Sequence, residues 1–536
     1  MADLTLYLIL LVILVAYIAI VYLVKKKNFL ANHGVVVSGI FIMWKTQAGK
    51  KFIDRLAKPA RFWRAYATLA KVICLLVGVF MMSLLIWEAT IVNRIPADKA
   101  PSLEMMLGIP GINPVIPIIF GIVGLIVAMV VHEFAHGILT RVGKMALKSL
   151  GLFFFIIPLG AFVEPDEADI NKADRKRRSS VYAVGPATNV LVALLCAFIF
   201  SSLLMASAQP VRDSPVVMSV GANTPAQQGN LLYGMQIVEV DGMQVHSIGD
   251  LDRVAADPGT NITVTYYYKG QLASTNVTSG LVIMETTRGL AAETAGIAPG
   301  MILASLNDSM IRNQTDLQQT LALTHPLQTV NVTVLSFNAV AGKYQDSGIS
   351  SLQLSSKKEY YLKVSPDLVN ASFKDVGFLG INSAYLGAVT TTPDRIMQRL
   401  ANPLNGVNDP ASFVSATLLY IALPLQGLAP IESPLADLFT PSGVLAGVPA
   451  NVFWFIGNCA YWIFWINLMV GMTNVLPAVP LDGGFLFRDA LDWLIHKFKR
   501  NVTEAVHQRY VSTITYVLAV MILFLIVWQL IGPRLF

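Results

Sequence analysis

The stretch "VVHEFAHGIL", Val130 to Leu139, sets two histidines and a glutamate inside a run of residues that otherwise suits lipid. Ionisable groups at that depth are costly to desolvate, so three of them within about one helical turn need a use. On a helix, residues four apart share a face. His132 and His136 can therefore hold one metal ion, while Glu133 reaches a water on that ion and not the ion itself. Zinc held by two histidines and a third ligand keeps a position for water and lowers its pKa to about 7. The competing reading, histidines that only bridge helices by hydrogen bonds, does not account for all three groups.

The rest of the chain fits a membrane setting. Of 536 residues, 54% are hydrophobic and 13% charged, too apolar for an ordinary soluble enzyme. Stretches long enough to cross a hydrocarbon core of about 30 Å run over Leu4 to Val24, Ala67 to Trp87, Ile116 to Leu139, Val181 to Met205, Val452 to Leu476 and Val511 to Ile531. The first has no small-residue cleavage site and runs into Lys25, Lys26 and Lys27, which predicts a retained anchor.

Basic residues favour the cytoplasmic side of short loops. Lys25 to Arg64 holds ten Lys and Arg against one acid, "RKRR" fills Arg175 to Arg178, and Lys497, Lys499, Arg500 and Arg509 flank the last span. Placing these three stretches inside puts both termini outside, together with the polar insert between Met205 and Val452. That insert holds six N-x-S/T sequons, at Asn261, Asn276, Asn307, Asn313, Asn331 and Asn370, either glycan acceptors or chance products of its composition. Cys74, Cys196 and Cys459 all fall in apolar spans, so no disulfide framework is expected outside.

An internal repeat orders the insert. "VVMSVGANTPAQQGNLLYGMQIVEVDG" from Val216 aligns with "VIMETTRGLAAETAGIAPGMILASLND" from Val282 at an offset of 66, and "GDLDRVAA" from Gly249 aligns with "TDLQQTLA" from Thr315 at the same offset. Each unit reads as strand, Gly-containing loop, alternating strand, helix and β-rich run. The pair resembles tandem PDZ domains, which capture a peptide C-terminus at a sheet edge. A β-rich spacer without a ligand is the alternative.

Beyond the repeats, Ser412 to Leu428 is apolar but broken by Pro424, and is expected at the outer membrane surface. "GVVVSGIFIMW" from Gly34 and "LGLFFFIIPLGAFV" from Leu150 are too short or too broken to span. They are expected as re-entrant backbone around a site.

A third zinc ligand is expected from "NVLPAVPLDGG", Asn474 to Gly484, which closes the fifth span at the depth where the third span carries His132. Asp482 supplies the carboxylate, and Gly483 and Gly484 let the backbone approach. Without the histidines, Asp482 would read as a helix-terminating turn.

HEFAH on one span and N-x-x-P…L-D-G on a later one together resemble the site-2 protease family of intramembrane zinc metalloproteases. The resemblance covers the membrane core, and the PDZ-like insert is similar to that of bacterial members. It implies one Zn2+ per chain on His132, His136 and Asp482, and Glu133 as catalytic base. "GPATN", Gly185 to Asn189, matches the family's G-P-x-x-N, which implies substrate or oxyanion contact for Asn189; Asn474 is implied in substrate contact. "GAFV", Gly160 to Val163, resembles the family's re-entrant strand, giving Gly160 and Phe162 a place beside substrate. Pro480 departs from the pattern by one position, with the Asn-to-Asp spacing kept.

The expected architecture is an α-helical polytopic membrane protein of about six spans with an inserted α+β tandem PDZ-like domain. Its parts are residues 1–209 (four spans and HExxH), 210–279 and 280–375 (the two repeats), 376–451 (connector) and 452–536 (LDG motif and last two spans). The implied activity is hydrolysis of peptide bonds in or near transmembrane segments, as in regulated intramembrane proteolysis, with the site toward the cytoplasm. Its substrates are membrane proteins pre-trimmed by another protease; partners are the bilayer and peptide C-termini, and no nucleic acid is expected. Two alternatives are a prenyl-protein endopeptidase of the CAAX type, whose further glutamate motif has no match around Glu504 to His507, and a non-catalytic adaptor presenting the PDZ-like repeats.

Overall fold

Helix α1 (Ala2–Lys27) leads into strands β1 (Val35–Ser38) and β2 (Phe41–Thr46), a short helix α2 (Lys50–Leu56) and two long helices, α3 (Ala60–Ile91) and α4 (Ile118–Val142). Strands β3 (Leu147–Phe155) and β4 (Ile157–Pro165) and helices α5 (Glu167–Lys172) and α6 (Arg175–Phe198) follow. The computed structural model describes residues 2–27, 34–92, 97, 100–106, 108–155, 157–370, 372–498 and 503–535. Of the expected basic stretches, residues 28–33 and Lys499 and Arg500 lie outside the described residues. The chain divides into two compact units, Met1–Ser202 with Phe455–Phe536, and Leu203–Trp454.

In the first unit, the two apolar stretches too short to span pair with each other. Strands β1 to β4 form one antiparallel sheet in sequence order, with Trp44 opposite Leu152 and Leu150 opposite Val163. Pairing satisfies backbone groups that lipid would leave bare. Strand β4 ends the sheet order and packs on α4: Val163 reaches Gly137, and Gly160 leaves room for the Met129 side chain. Lys45 Nζ binds Glu164 at 2.8 Å and Ser149 donates to the same carboxylate. These bonds hold the Glu164 carboxyl below the usual carboxylate range.

The "RKRR" run, read from sequence as part of a loop, is the first turn of α6. Asp174 caps that helix by accepting from Arg177 N–H, as Ser, Thr, Asp and Asn do at helix starts.

The second unit is built on the repeat. Its first half holds β5 (Ala208–Pro210), β6 (Val216–Val220), α7 (Pro225–Gln228), β7 (Gln236–Val240), β8 (Met243–Gln244), α8 (Ile248–Arg253), β9 (Asn261–Tyr268) and β10 (Gln271–Thr278). The same order recurs in β11 (Leu281–Thr286), α9 (Ala291–Thr294), β12 (Ile302–Leu306), β13 (Ser309–Met310), α10 (Gln314–Ala322) and β14 (Thr329–Asn338). Equivalent residues do equivalent work. Asp241 and Asn307 turn with φ of 46° and 47°, Ser247 and Asn313 cap α8 and α10, and Asp250 and Asp316 accept from the amides of His246 and Arg312. Asn313 is therefore a buried cap, unlike the other five sequon asparagines, which are exposed.

Strands β15 (Lys343–Asp346), β16 (Ser351–Gln353) and β17 (Ser355–Ser356), helix α11 (Lys357–Val364) and strands β18 (Gly377–Phe378), β19 (Ile381–Tyr385) and β20 (Ala388–Thr391) come next. The stretch 376–451, expected as a connector, supplies a strand to each repeat: β20 pairs with β6 and β19 with β11. Leu386 O accepts from Ala226 N–H and Leu379 O from Ala292 N–H, each at 2.9 Å. Two tandem turns, Phe378-Leu379-Gly380-Ile381 and Tyr385-Leu386-Gly387-Ala388, thus close the two sheets.

Helices α12 (Pro393–Ala401) and α13 (Pro410–Ile421) and strand β21 (Phe439–Pro441) complete the unit, and β21 pairs with β5 so that its ends are clasped. Helix α13 covers much of the expected surface segment and, at 12 residues, is too short to cross.

Helices α14 (Ala450–Asn474), α15 (Asp482–Phe498) and α16 (Glu504–Ile531) finish the chain. Among the described residues, five helices are long and apolar enough to span a membrane: Ala60–Ile91, Ile118–Val142, Arg175–Ser207, Ala450–Asn474 and Glu504–Arg534. The expected first span, Leu4 to Val24, lies within α1.

Candidate metal centre and active site

Helix α4 puts His132 and His136 on one face, and the turn after α14 brings Asp482, the first residue of α15, against them. His132 Nε2 and His136 Nε2 lie 3.1 Å apart, and Asp482 Oδ2 stands 3.1 Å from the first and 3.3 Å from the second. All three side chains are largely buried.

The other ring nitrogens decide what that triangle is. His136 Nδ1 lies 2.7 Å from the Val181 carbonyl oxygen, which can only accept, so Nδ1 carries the proton. His132 Nδ1 lies 2.9 Å from Asn189 Oδ1. The Asn189 amide nitrogen in turn donates to Ala128 O at 3.0 Å and Asn467 Oδ1 at 3.3 Å, which fixes its oxygen toward His132. In neutral imidazoles both Nε2 atoms then present lone pairs. Two lone pairs and a carboxylate oxygen converge with no proton between them, an arrangement that a cation resolves. Donors about 2.0–2.1 Å from a tetrahedral zinc are spaced roughly 3.3 Å apart, so the residues fit that ion. Nδ1–H bonded to a carbonyl is also how zinc-binding histidines are commonly held.

Glu133 stands outside the triangle. Its Oε2 accepts from Val163 N–H at 2.9 Å, which places the carboxylate between α4 and strand β4. Gly483 and Gly484 pack against the backbone of Val475 and Ala478 respectively, where a Cβ has no room. Gly185 has a role that sequence reading missed: a Cβ there would meet His136 Nε2 and, at 2.8 Å, His132 Cε1. The glycine of GPATN thus makes space for the two imidazoles.

Other expected site residues lie apart from the triangle or serve it indirectly. The side chain of Asn189 is fully buried and bonded at both ends, so here it orients His132. Asn474 donates to Val470 O at 3.0 Å on its own helix. Phe162 lies across Gly151 of the neighbouring strand with Lys45 Nζ 6.0 Å from its ring centre. Gly160 sits against Met129, one helical turn before Glu133.

Two further contributors were missed. Asn467 is fully buried and supports Asn189; an amide side chain inside an apolar span, seven residues before Asn474, was the available signal. Arg178, counted only as loop charge, binds the buried Asp489 with contacts of 2.8 to 3.0 Å. That pair ties α6 to α15, the helix that begins with Asp482.

Membrane-length helices around a His–His–Asp centre, with a glutamate at the next helical position, define a class of membrane protein with a metal-binding core. The chain belongs to peptidase family M50, the site-2 protease family, whose sequence model matches residues 120–522. It is similar to an uncharacterised protein of Methanocaldococcus jannaschii, 28% identical over 241 residues, which is 44% of this chain and 60% of that protein. It is also similar to an Agrobacterium fabrum protein that carries the name "Putative zinc metalloprotease Atu1380", 30% identical over 138 residues, 22% of this chain and 36% of that one. The chain thus aligns with less than two thirds of each of these relatives.

Proposed function

We propose that this protein is a zinc-dependent intramembrane protease that hydrolyses peptide bonds in or near the transmembrane segments of other membrane proteins. The observation that carries the reading is the triangle of His132 Nε2, His136 Nε2 and Asp482 Oδ2 with Glu133 beside it. When bound, zinc supplies Lewis acidity toward the scissile carbonyl and makes water a nucleophile near neutral pH. Glu133 takes the proton from the attacking water and passes it to the leaving amine. Strand β4 aligns an unwound substrate by adding it at the sheet edge. Asn189 and Val181 hold the imidazoles in the ligating tautomer.

In this reading α1 is the first of six spans, the termini and the second unit are extracytoplasmic, and the centre lies toward the cytoplasm, as the basic stretches favour. The repeats act as PDZ-like modules that bind peptide C-termini left by a first cleavage and exclude bulky ectodomains. Support comes from the second repeat, where a cavity of about 610 Å³ lies between β19 and α10. Leu317, Leu321 and Ile381 give it an apolar lining, and Lys357 and Lys374 offer charge to a terminal carboxylate.

The test is purified full-length protein in liposomes with a transmembrane peptide. Cleavage that needs zinc and disappears in Glu133→Gln is expected; zinc-independent cleavage, or full activity in that variant, would overturn the reading.

A further inference from the structure

We propose a second zinc site, formed by Asp492 and His496 of α15 and His507 of α16, with Glu504 at its open side. Nothing in the chemistry assigned to the first centre uses these residues. Asp492 and His496 are four apart and share a helical face, the spacing that lets two side chains hold one ion. His507 reaches them from the neighbouring helix: its Nε2 lies 2.9 Å from Asp492 Oδ1, and its ring centroid is 3.7 Å from that of His496. One ligand atom from each of the three residues lies within 4.8 Å of the others.

His496 turns Nδ1 toward Asp492, 3.1 Å from its backbone carbonyl oxygen and 3.7 Å from Oδ1, and Nε2 toward Glu504. The carbonyl accepts the Nδ1 proton, which leaves the Nε2 lone pair free on the Glu504 side. Nε2 stands 3.8 Å from Glu504 Oε2, close enough for a small rotamer change to add a second carboxylate. Two imidazoles and one or two carboxylates make a donor set suited to zinc. The hydrogen bond between His507 and Asp492 is the metal-free form, and the ion replaces the proton that it shares. His507 is buried, whereas His496 is about half exposed, so the ion enters from the His496 side.

The site's place on α15 gives it a purpose. Asp482 begins that helix and Asp492 lies ten residues further on, ~15 Å along the axis. Arg178 holds the middle of the helix through Asp489. An ion shared by Asp492, His496 and His507 would clasp the far end to α16 and so fix the helix that presents Asp482 to the first centre.

The experiment measures zinc per chain in the purified full-length protein, dialysed against micromolar zinc and then against zinc-free buffer. Two zinc ions are expected. His496→Ala, chosen because its half-exposed ring can be lost without disturbing the core, should lower the count to one, and His496→Cys, which restores a ligand, should return it to two. His132→Ala with His136→Ala should also leave one ion, and in that background added zinc should raise the melting temperature unless His496→Ala is present as well. One ion in the wild type that His496→Ala does not remove would overturn the proposal. One ion that persists without His132 and His136 but is lost in His496→Ala would uphold this site and overturn the zinc centre proposed above.

Discussion

Val163 donates its backbone N–H to Glu133 Oε2 across 2.9 Å. The bond ties the carboxylate to strand β4, outside the triangle of His132, His136 and Asp482. Glu133→Gln keeps an acceptor for Val163, so the variant should fold and hold zinc like the wild type. Hydrolysis of a transmembrane peptide should fall about 10²–10⁴-fold with the loss of the base. Zinc content and cleavage rate on the same preparation check both halves.

Asp482→Asn should behave differently, because it replaces a charged ligand with a neutral one. Zinc should be lost to a chelator at lower concentration than from the wild type, and activity should fall with occupancy. Equal retention in the two proteins would move the third ligand elsewhere.

Asn189→Leu removes the acceptor that orients His132 Nδ1 and takes from Asn467 Oδ1 the donor it has in Asn189. Losing such a supporting contact weakens metal binding by about 10–100-fold. A competition titration with a zinc chelator reads that number directly. If Asn189 touched only substrate, affinity for zinc would stay unchanged and KM alone would rise.

Gly185→Ala forces a methyl group against both imidazoles. Overpacking of this kind costs about 1–3 kcal/mol, and here the strain falls on the ligands. Zinc content should drop while the α-helical signal in circular dichroism is preserved. A fully loaded variant would show that the histidines have room to move.

Excising residues 212–436 keeps the clasp between β5 and β21 and removes both repeats whole. The shortened protein should still cut a short transmembrane peptide, and should cut a single-span protein with an untrimmed ectodomain better than the intact protein does. Equal loss on both substrates would mean that the second unit is needed for folding and not for selection. A cut at residue 375, where sequence alone ends the second repeat, would leave β19 and β20 without their sheets.

The sequence carried the metal centre clearly because lipid makes ionisable groups expensive: His132, Glu133 and His136 have no inexpensive alternative there, and Asp482 closes an adjacent span at matching depth. The short apolar stretches from Gly34 and Leu150 were legible as non-spanning, but not as partners, since pairing Trp44 with Leu152 is a contact between distant residues. Gly185 was quoted within a motif without its reason, which is steric and appears only when α6 lies against α4. Arg178 looked like one charge in a run of four; its bond to Asp489 depends on α15, some three hundred residues later. The turns at Leu379 and Leu386 escaped the repeat because their spacing is seven residues, while the rest of the two units keeps an offset of 66.

Those two turns also bear on how the protein is made. On the ribosome, strands β6 to β10 emerge first, yet the sheet that they form lacks its edge until β20 appears, on the order of a hundred residues later, several seconds at ordinary rates of synthesis. The second sheet waits less, because β19 follows it closely. Through that interval β6 presents an open edge of the kind that invites wrong pairing, and the stretch that ends the wait, Phe378 to Thr391, completes both sheets nearly at once. The repeats are two in sequence, but during synthesis they mature as one.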